Sequence, residues 1–249
     1  MRVIDPRASV VTKRLSAVRR VVAVCSAKGG VGKTFCTAAA GVSLARSGFR
    51  VGILDLDLPG ASVHSFLGLR PELPQEKDGI LPLPVTDGLV LMGAAAFTGE
   101  RALPLRGASV TDAMLEMLAV TRWGALDFLL MDMPPGIGEE ILDLARLVPR
   151  VKALVVSTPE RVPVAVVERL LALLREMRVN VSGLIANMVR GDASTVRELA
   201  RRAGVAFAGE VPFDASIEDA VGDPSRLASS AAAAAVFDAL KKAGLLSPP

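Results

Sequence analysis

Tyrosine is absent from this 249-residue sequence, histidine occurs once, cysteine twice, and only 4% of the residues are aromatic. With Cys25 and Cys36 as the only thiols, a single chain can build neither a disulfide framework nor a four-cysteine metal site. Such sparing use of cysteine suits the reducing interior of a cell, so a cytoplasmic protein is expected. No uninterrupted apolar run approaches the roughly 20 residues that a bilayer-spanning helix requires. Hydrophobic residues still make up 51% of the chain, enough apolar surface to offset the ordering entropy of a fold, which excludes disorder.

Charge is unevenly placed. Arg2, Arg7, Lys13, Arg14, Arg19 and Arg20 face a single acid, Asp5, in the first twenty residues, giving that stretch +5 out of a total of +3. The remainder is therefore slightly acidic, and the basic balance belongs to one end. This end lacks the apolar core of a secretory signal and leads directly into an apolar strand. It is expected to form a solvated helix ahead of the core.

Short β-branched and apolar runs recur at 21–26, 51–55, 89–92, 128–132, 153–157 and 184–187, each followed by a helical pattern. They are apolar on both faces, as strands buried between helix layers are. The stretch 162–177 places Glu168, Arg169, Arg175 and Glu176 on one arc and Val166, Leu170, Leu173, Leu174 and Met177 on the other. Asp223, followed by Pro224, predicts an N-cap opening a final helix to about Ala243. The alternation predicts an α/β fold with a mostly parallel sheet covered by helices on both faces. With no repeat and no long linker, one domain over 1–249 is expected, with 1–19 as its basic lead-in. Residues 71–84 form the most irregular segment and are expected to be a surface excursion.

Three constellations carry chemistry. Ser26-Ala27-Lys28-Gly29-Gly30-Val31-Gly32-Lys33-Thr34 follows the first strand and opens a helix expected to end before Gly48. Small residues let successive backbone N–H groups converge on an anion, and the helix N-terminus adds its dipole. Lys33 can reach β- and γ-phosphates, and the Thr34 hydroxyl can ligate Mg²⁺. Ala27 stands where the usual G-x-x-x-x-G-K-[ST] pattern has its first glycine. The second constellation, Asp55-Leu56-Asp57-Leu58-Pro59-Gly60-Ala61-Ser62, lies at a strand's carboxyl end, where ligands of open α/β sheets sit. Alternation puts Asp55 and Asp57 on one side. In the third, the apolar run Phe128-Leu129-Leu130-Met131 delivers Asp132, a carboxylate placed to hold Mg²⁺ through its water shell. The Met133-Pro134-Pro135-Gly136 turn that follows is stiff, and could read the γ-phosphate.

The pair Lys28 and Lys33 around Gly29-Gly30-Val31-Gly32 resembles the deviant Walker A motif of the P-loop ATPases that include MinD, ParA, the nitrogenase iron protein and the Mrp-type iron–sulfur carriers. Further segments narrow the likeness to the Mrp type. Arg14-Leu15-Ser16-Ala17-Val18-Arg19-Arg20 looks like that family's approach to its first strand. The stretch from Asp55 to Ser62 resembles D-x-D-x-x-G-x-S, with Pro59 in place of an aromatic. Arg106-Gly107 and Trp123-Gly124-Ala125-Leu126-Asp127 resemble R-G and W-G-x-L-D. The run from Asp132 to Glu139 resembles D-x-P-P-G-T-G-D, with Ile137 and Glu139 as departures. Thr158-Pro159-Glu160, Asn187-Met188 and Val211-Pro212-Phe213-Asp214 look like later landmarks.

The resemblance implies a P-loop NTPase with ATP and Mg²⁺ as cofactors, and a nucleotide-sandwich homodimer. Lys28 would reach the partner's ATP, with Lys33 and Asp57 completing the catalytic set and Asp57 placing the attacking water. The run Lys28-Gly29-Gly30-Val31-Gly32-Lys33-Thr34-Phe35 would bind the nucleotide, and Asn187, Pro212 and Asp214 would border its base. Thr34, Asp55 and Asp132 would serve the metal. The family's C-x-x-C pair, which holds an iron–sulfur cluster across the dimer, is missing from Val189-Arg190-Gly191-Asp192-Ala193-Ser194. The expected function is an ATP-driven dimeric switch linked to iron–sulfur or metallocluster assembly, possessing no cluster ligands of its own and serving a protein client. The alternatives are a MinD- or ParA-like positioning ATPase and a scaffold in which nucleotide is structural. The segment 231–243 is Ala-rich, with only Lys241-Lys242 basic, so a membrane partner is not expected; nucleic acid is not expected either, Arg201-Arg202 and the N-terminus being the only candidates.

Overall fold

Strands that are apolar on both sides must be sandwiched. The computed structural model, which describes residues 7–58, 60–98, 108–148 and 150–247, places them in that position. The strands are β1 (Val18–Cys25), β2 (Val51–Asp55), β3 (Leu83–Thr86), β4 (Leu89–Gly93), β5 (Leu126–Asp132), β6 (Lys152–Ser157), β7 (Asn180–Val189) and β8 (Phe207–Pro212). They form an eight-stranded sheet of order β3-β4-β2-β5-β1-β6-β7-β8, parallel except for the β3–β4 pair. β1 sits centrally, with Val24 opposite Asp132 of β5 and Cys25 opposite Val155 of β6.

Side-chain alternation divides the core in two. Val21, Ala23 and Cys25 point to a layer supplied by the helices Ala108–Val120, Glu139–Leu147, Arg161–Glu176 and Ser194–Ala203. Val22 and Val24 point the other way, to Lys33–Arg46, Pro224–Ser229 and Ala231–Lys242. The two cysteines therefore lie in opposite layers, each about 1% exposed.

Three expectations are revised. The final helix is two helices, because Ser230 adopts an extended conformation and its hydroxyl caps Ala233 N at 3.0 Å. Asp223 does cap the first of them, accepting from Ser225 N and Arg226 N, with Pro224 following. β3 and β8 are strands that the apolar runs did not mark, and β3 ends the otherwise irregular 71–84 segment. The lead-in helix, Arg7–Arg14, is docked: Val11 is fully buried, Arg14 Nε donates to Ala119 O at 3.0 Å, and Arg7 pairs with Asp112 at 2.7 Å. Arg2, Asp5, Pro59 and Arg106-Gly107 lie outside the described residues.

The Trp123-to-Asp127 landmark is architectural. A Cβ on Gly52 would come within 2.9 Å of the Trp123 ring, and Asp127 accepts from Arg50 N at 2.9 Å while pairing with Arg19 at 2.8 Å. Among the described residues, no helix is long and apolar enough to cross a membrane.

Candidate functional site

The loops after β1, β2, β5 and β8 meet the end of β7 at one end of the sheet, around a cavity of about 390 Å³. Gly32 adopts φ +79°, a left-handed conformation open to glycine at little cost. A side chain there would also collide with Asn187, whose Nδ2 would be 2.2 Å from the added Cβ. The same Nδ2 donates to Val31 O at 2.8 Å, so the end of β7 braces the phosphate loop. Beyond Gly32 the helix Lys33–Arg46 begins without a side-chain cap, and its first residues, Lys33, Thr34 and Phe35, line the cavity.

The floor carries a buried charge network. Lys33, only 6% exposed, holds its ammonium 2.8 Å from Asp132 Oδ2 and 3.9 Å from Asp57 Oδ2. Asp132, fully buried, also accepts from Thr34 Oγ1 at 2.8 Å and Thr37 Oγ1 at 2.7 Å. Burial of these charges without pairing would cost several kcal/mol per ion. Asp57 lines the cavity, and partial burial raises its carboxyl above the ordinary range, with Lys33 opposing the shift. Thr37, one turn beyond Thr34, was not anticipated, since only the three-dimensional placement of Asp132 shows its use.

Asp55 differs from expectation. It does not line the cavity, and its oxygens accept from three backbone N–H groups, those of Asp57, Ser62 and Val63, each at 3.1 Å. Burial, followed by the neighbouring Asp132, pushes its pKa up to about 7. Thr34 and Asp132 are thus brought together as expected, whereas Asp55 is engaged in shaping the turn that presents Asp57. Asp55 nonetheless stays close enough to Asp132 and Lys33 for their charges to act on it.

The Pro134-Pro135-Gly136 turn is tied back to the phosphate loop by one bond, Gly136 N to Ser26 O, at 2.9 Å. Pro135 lines the cavity, as does Ser26, whose hydroxyl is buried and has no hydrogen-bond partner. Gly29, Gly30, Gly32, Lys33, Thr34, Phe35, Asn187, Pro212 and Asp214 all line the cavity. Val31 does not; its side chain is in the core, and its carbonyl is the part that Asn187 holds. Lys28 is exposed and faces an adjoining groove with Thr158, Arg190 and Phe213. Met188 and Phe213 belong to the quoted landmarks without having been assigned a place in the site, and Arg190 was not anticipated at all.

The donor set fits Mg²⁺, which keeps several waters and takes one or two protein oxygens beside phosphate. Thr34 Oγ1 and Asp132 supply such oxygens, and among the described residues no group of three or more His, Cys, Asp or Glu forms a self-sufficient metal cage. The thiols do not fit an iron–sulfur cluster. Both are buried, and desolvation pushes the Cys25 pKa up to about 12 and raises that of Cys36 as well.

A family model described as "ParA: NUBPL iron-transfer P-loop NTPase" matches residues 17–243. An iron–sulfur cluster carrier protein of Aquifex aeolicus is 34% identical over 223 residues, covering 83% of this chain and 61% of that protein. Its counterpart in Saccharolobus solfataricus is 32% identical, over 86% of this chain and 78% of its own length. The counterpart in Escherichia coli K12 is 34% identical, over 70% of this chain and 48% of its own length. The chain thus spans less than two thirds of the Aquifex and Escherichia relatives. Among solved structures, a nucleotide-binding protein of Archaeoglobus fulgidus in complex with ADP superposes with a TM-score of 0.77 at 28% identity, over 92% of this chain and 96% of that one. The Pyrococcus furiosus cell-division ATPase MinD superposes with a TM-score of 0.69 at 20% identity, over 92% of this chain and all of that one, a likeness of fold.

Proposed function

The chain belongs to the Mrp-type, NUBPL-like iron-transfer P-loop NTPases, and from that premise we propose that it is an Mg²⁺-dependent ATPase acting as a homodimeric switch in metallocluster assembly. The observation that carries this reading is the Lys33–Asp132–Thr34 network on the floor of an open cavity, a buried cation paired with a carboxylate that also accepts from the Thr34 hydroxyl. The ADP bound by the Archaeoglobus protein supports an adenine nucleotide as ligand.

Phosphate oxygens would replace Asp57 and Asp132 as partners of Lys33, since the backbone N–H groups of the loop and the helix dipole favour an anion there. Thr34 and Asp132 would hold Mg²⁺, which supplies charge neutralisation at the β- and γ-phosphates. Asp57, on the cavity wall, would orient the attacking water. Lys28 stands outside the cavity and free of side-chain partners among the described residues, in the place suited to a second chain's phosphates. Lysines aimed at charge developing on the transferred phosphoryl lower the barrier most in a site that excludes water.

No cysteine in the chain is accessible, so the cluster or metal would be a cargo held by a partner's ligands. The positioning-ATPase reading has support only from fold likeness. Turnover assays with Mg²⁺-ATP test the proposal: the wild type hydrolyses ATP, and Lys28→Ala lowers kcat by about 10²–10³-fold while ATP binding to the monomer persists. Absence of hydrolysis in the wild type, or full turnover in Lys28→Ala, would overturn it.

A further inference from the structure

Phe213 is a wall shared by two hollows. It lines the nucleotide cavity together with Asn187, Pro212 and Asp214. It also lines the adjoining groove of about 480 Å³ that contains Lys28 and Arg190. Arg190 lines only the groove, and its guanidinium carbon lies 3.6 Å from the centroid of the Phe213 ring. That is stacking distance, so a cation covers the ring from the groove side and leaves the cavity side to be filled. Phe213 remains 43% exposed. Its backbone is fixed as well: Phe213 N donates to Val189 O at 2.9 Å, which joins the end of β8 to the end of β7 and sets the ring next to Arg190.

We propose that Phe213, held by Arg190, is a stacking platform for the purine base of the bound nucleotide, and that it selects purine over pyrimidine nucleotides. The proposal rests on the nucleotide reading of the cavity and adds to it a residue for the base's face, complementary to Asn187 at its edge. A guanidinium is the suitable backing because it is planar and weakly hydrated, and stacks on an aromatic face in a way an ammonium cannot. Drawing π-density toward one face leaves the other better matched to an electron-rich purine. A purine also covers more of the ring than a pyrimidine does. Phe213 touches the ligand in this arrangement; Arg190 is a positioning residue that acts through it.

Titration calorimetry with ATP, CTP and inorganic tripolyphosphate separates the contributions, because tripolyphosphate engages the phosphate loop without a base. Phe213→Leu, similar in bulk but without a π-face, should weaken ATP binding about tenfold or more, weaken CTP less, and leave tripolyphosphate unchanged. Phe213→Trp should retain ATP affinity. Arg190→Gln should cost ATP about three- to fivefold with no effect on tripolyphosphate, and Arg190→Lys should recover only part of that loss. Wild-type ATP affinity in Phe213→Leu overturns the platform, and so does a parallel loss of ATP and tripolyphosphate, which would indicate a displaced loop. A wild type that binds neither ATP nor tripolyphosphate overturns the nucleotide reading itself, a different and distinguishable failure.

Discussion

Asp55 shows how one carboxylate can be committed to architecture while its neighbour two residues on is left for chemistry. Three backbone N–H groups converge on it, and that convergence folds the 57–63 turn so that Asp57 faces Lys33. The cost is a buried acid whose pKa rises from an ordinary carboxylate value to about 7. Because the folded state holds this proton more tightly than the unfolded chain, the associated stability is present below the ordinary carboxylate pKa and is lost as pH rises through about 7. Asp57, also raised, contributes with the same sign. The nucleotide-free protein should therefore melt at a higher temperature at pH 5.5 than at pH 7.5. Asp55→Asn should shrink that difference, leaving the part due to Asp57. Thermal melts across this window check it, and an unchanged slope in Asp55→Asn would contradict the assignment.

At the scale of elements, tight inter-strand packing sets what the sheet tolerates. β2 passes so close to the start of β5 that Gly52 has Leu126 Cδ1 2.7 Å, and the Trp123 ring 2.9 Å, from where a Cβ would stand. Gly52→Ala should destabilise by about 1–3 kcal/mol through overpacking, read as a lower denaturant midpoint with the same m-value. The strands of the sheet's interior were legible because both of their faces are apolar, and the phosphate loop because its glycines and lysines fall at a distinctive spacing. β3 and β8 were not legible for a physical reason. Both are edge strands; β3 alternates half-exposed with exposed residues and contains Pro84, and β8 includes Gly209 and Glu210 in place of a β-branched run. The break at Ser230 was hidden because Ser is tolerated within helices and reveals itself as a cap only by its backbone angles. In the site, Asn187, Pro212 and Asp214 came from resemblance, whereas the Arg190–Phe213 stack joins residues far apart in sequence, and no local pattern records it.

For the whole molecule, the position of the thiols keeps them out of any shared metal centre. Cys25 and Cys36 are buried in opposite layers of the sheet, so no rearrangement short of unfolding brings them to one metal centre. Anaerobic incubation with iron and sulfide should leave the wild type without a bound cluster, and a Cys25→Ser/Cys36→Ser variant should behave identically. Cluster retention that depends on these residues would reverse this conclusion. The strand order has a consequence of its own. The loops that would receive the phosphates follow β1, β2 and β5, on one side of the molecule, and the residues that would receive the base lie at or just beyond the ends of β7 and β8, on the other, with β6 between β1 and β7. A nucleotide in this cavity would therefore span the two flanks like a rivet through two plates. Its binding free energy would add, at the carboxyl ends of the strands, to the hydrogen bonds through β6 that already join the two flanks.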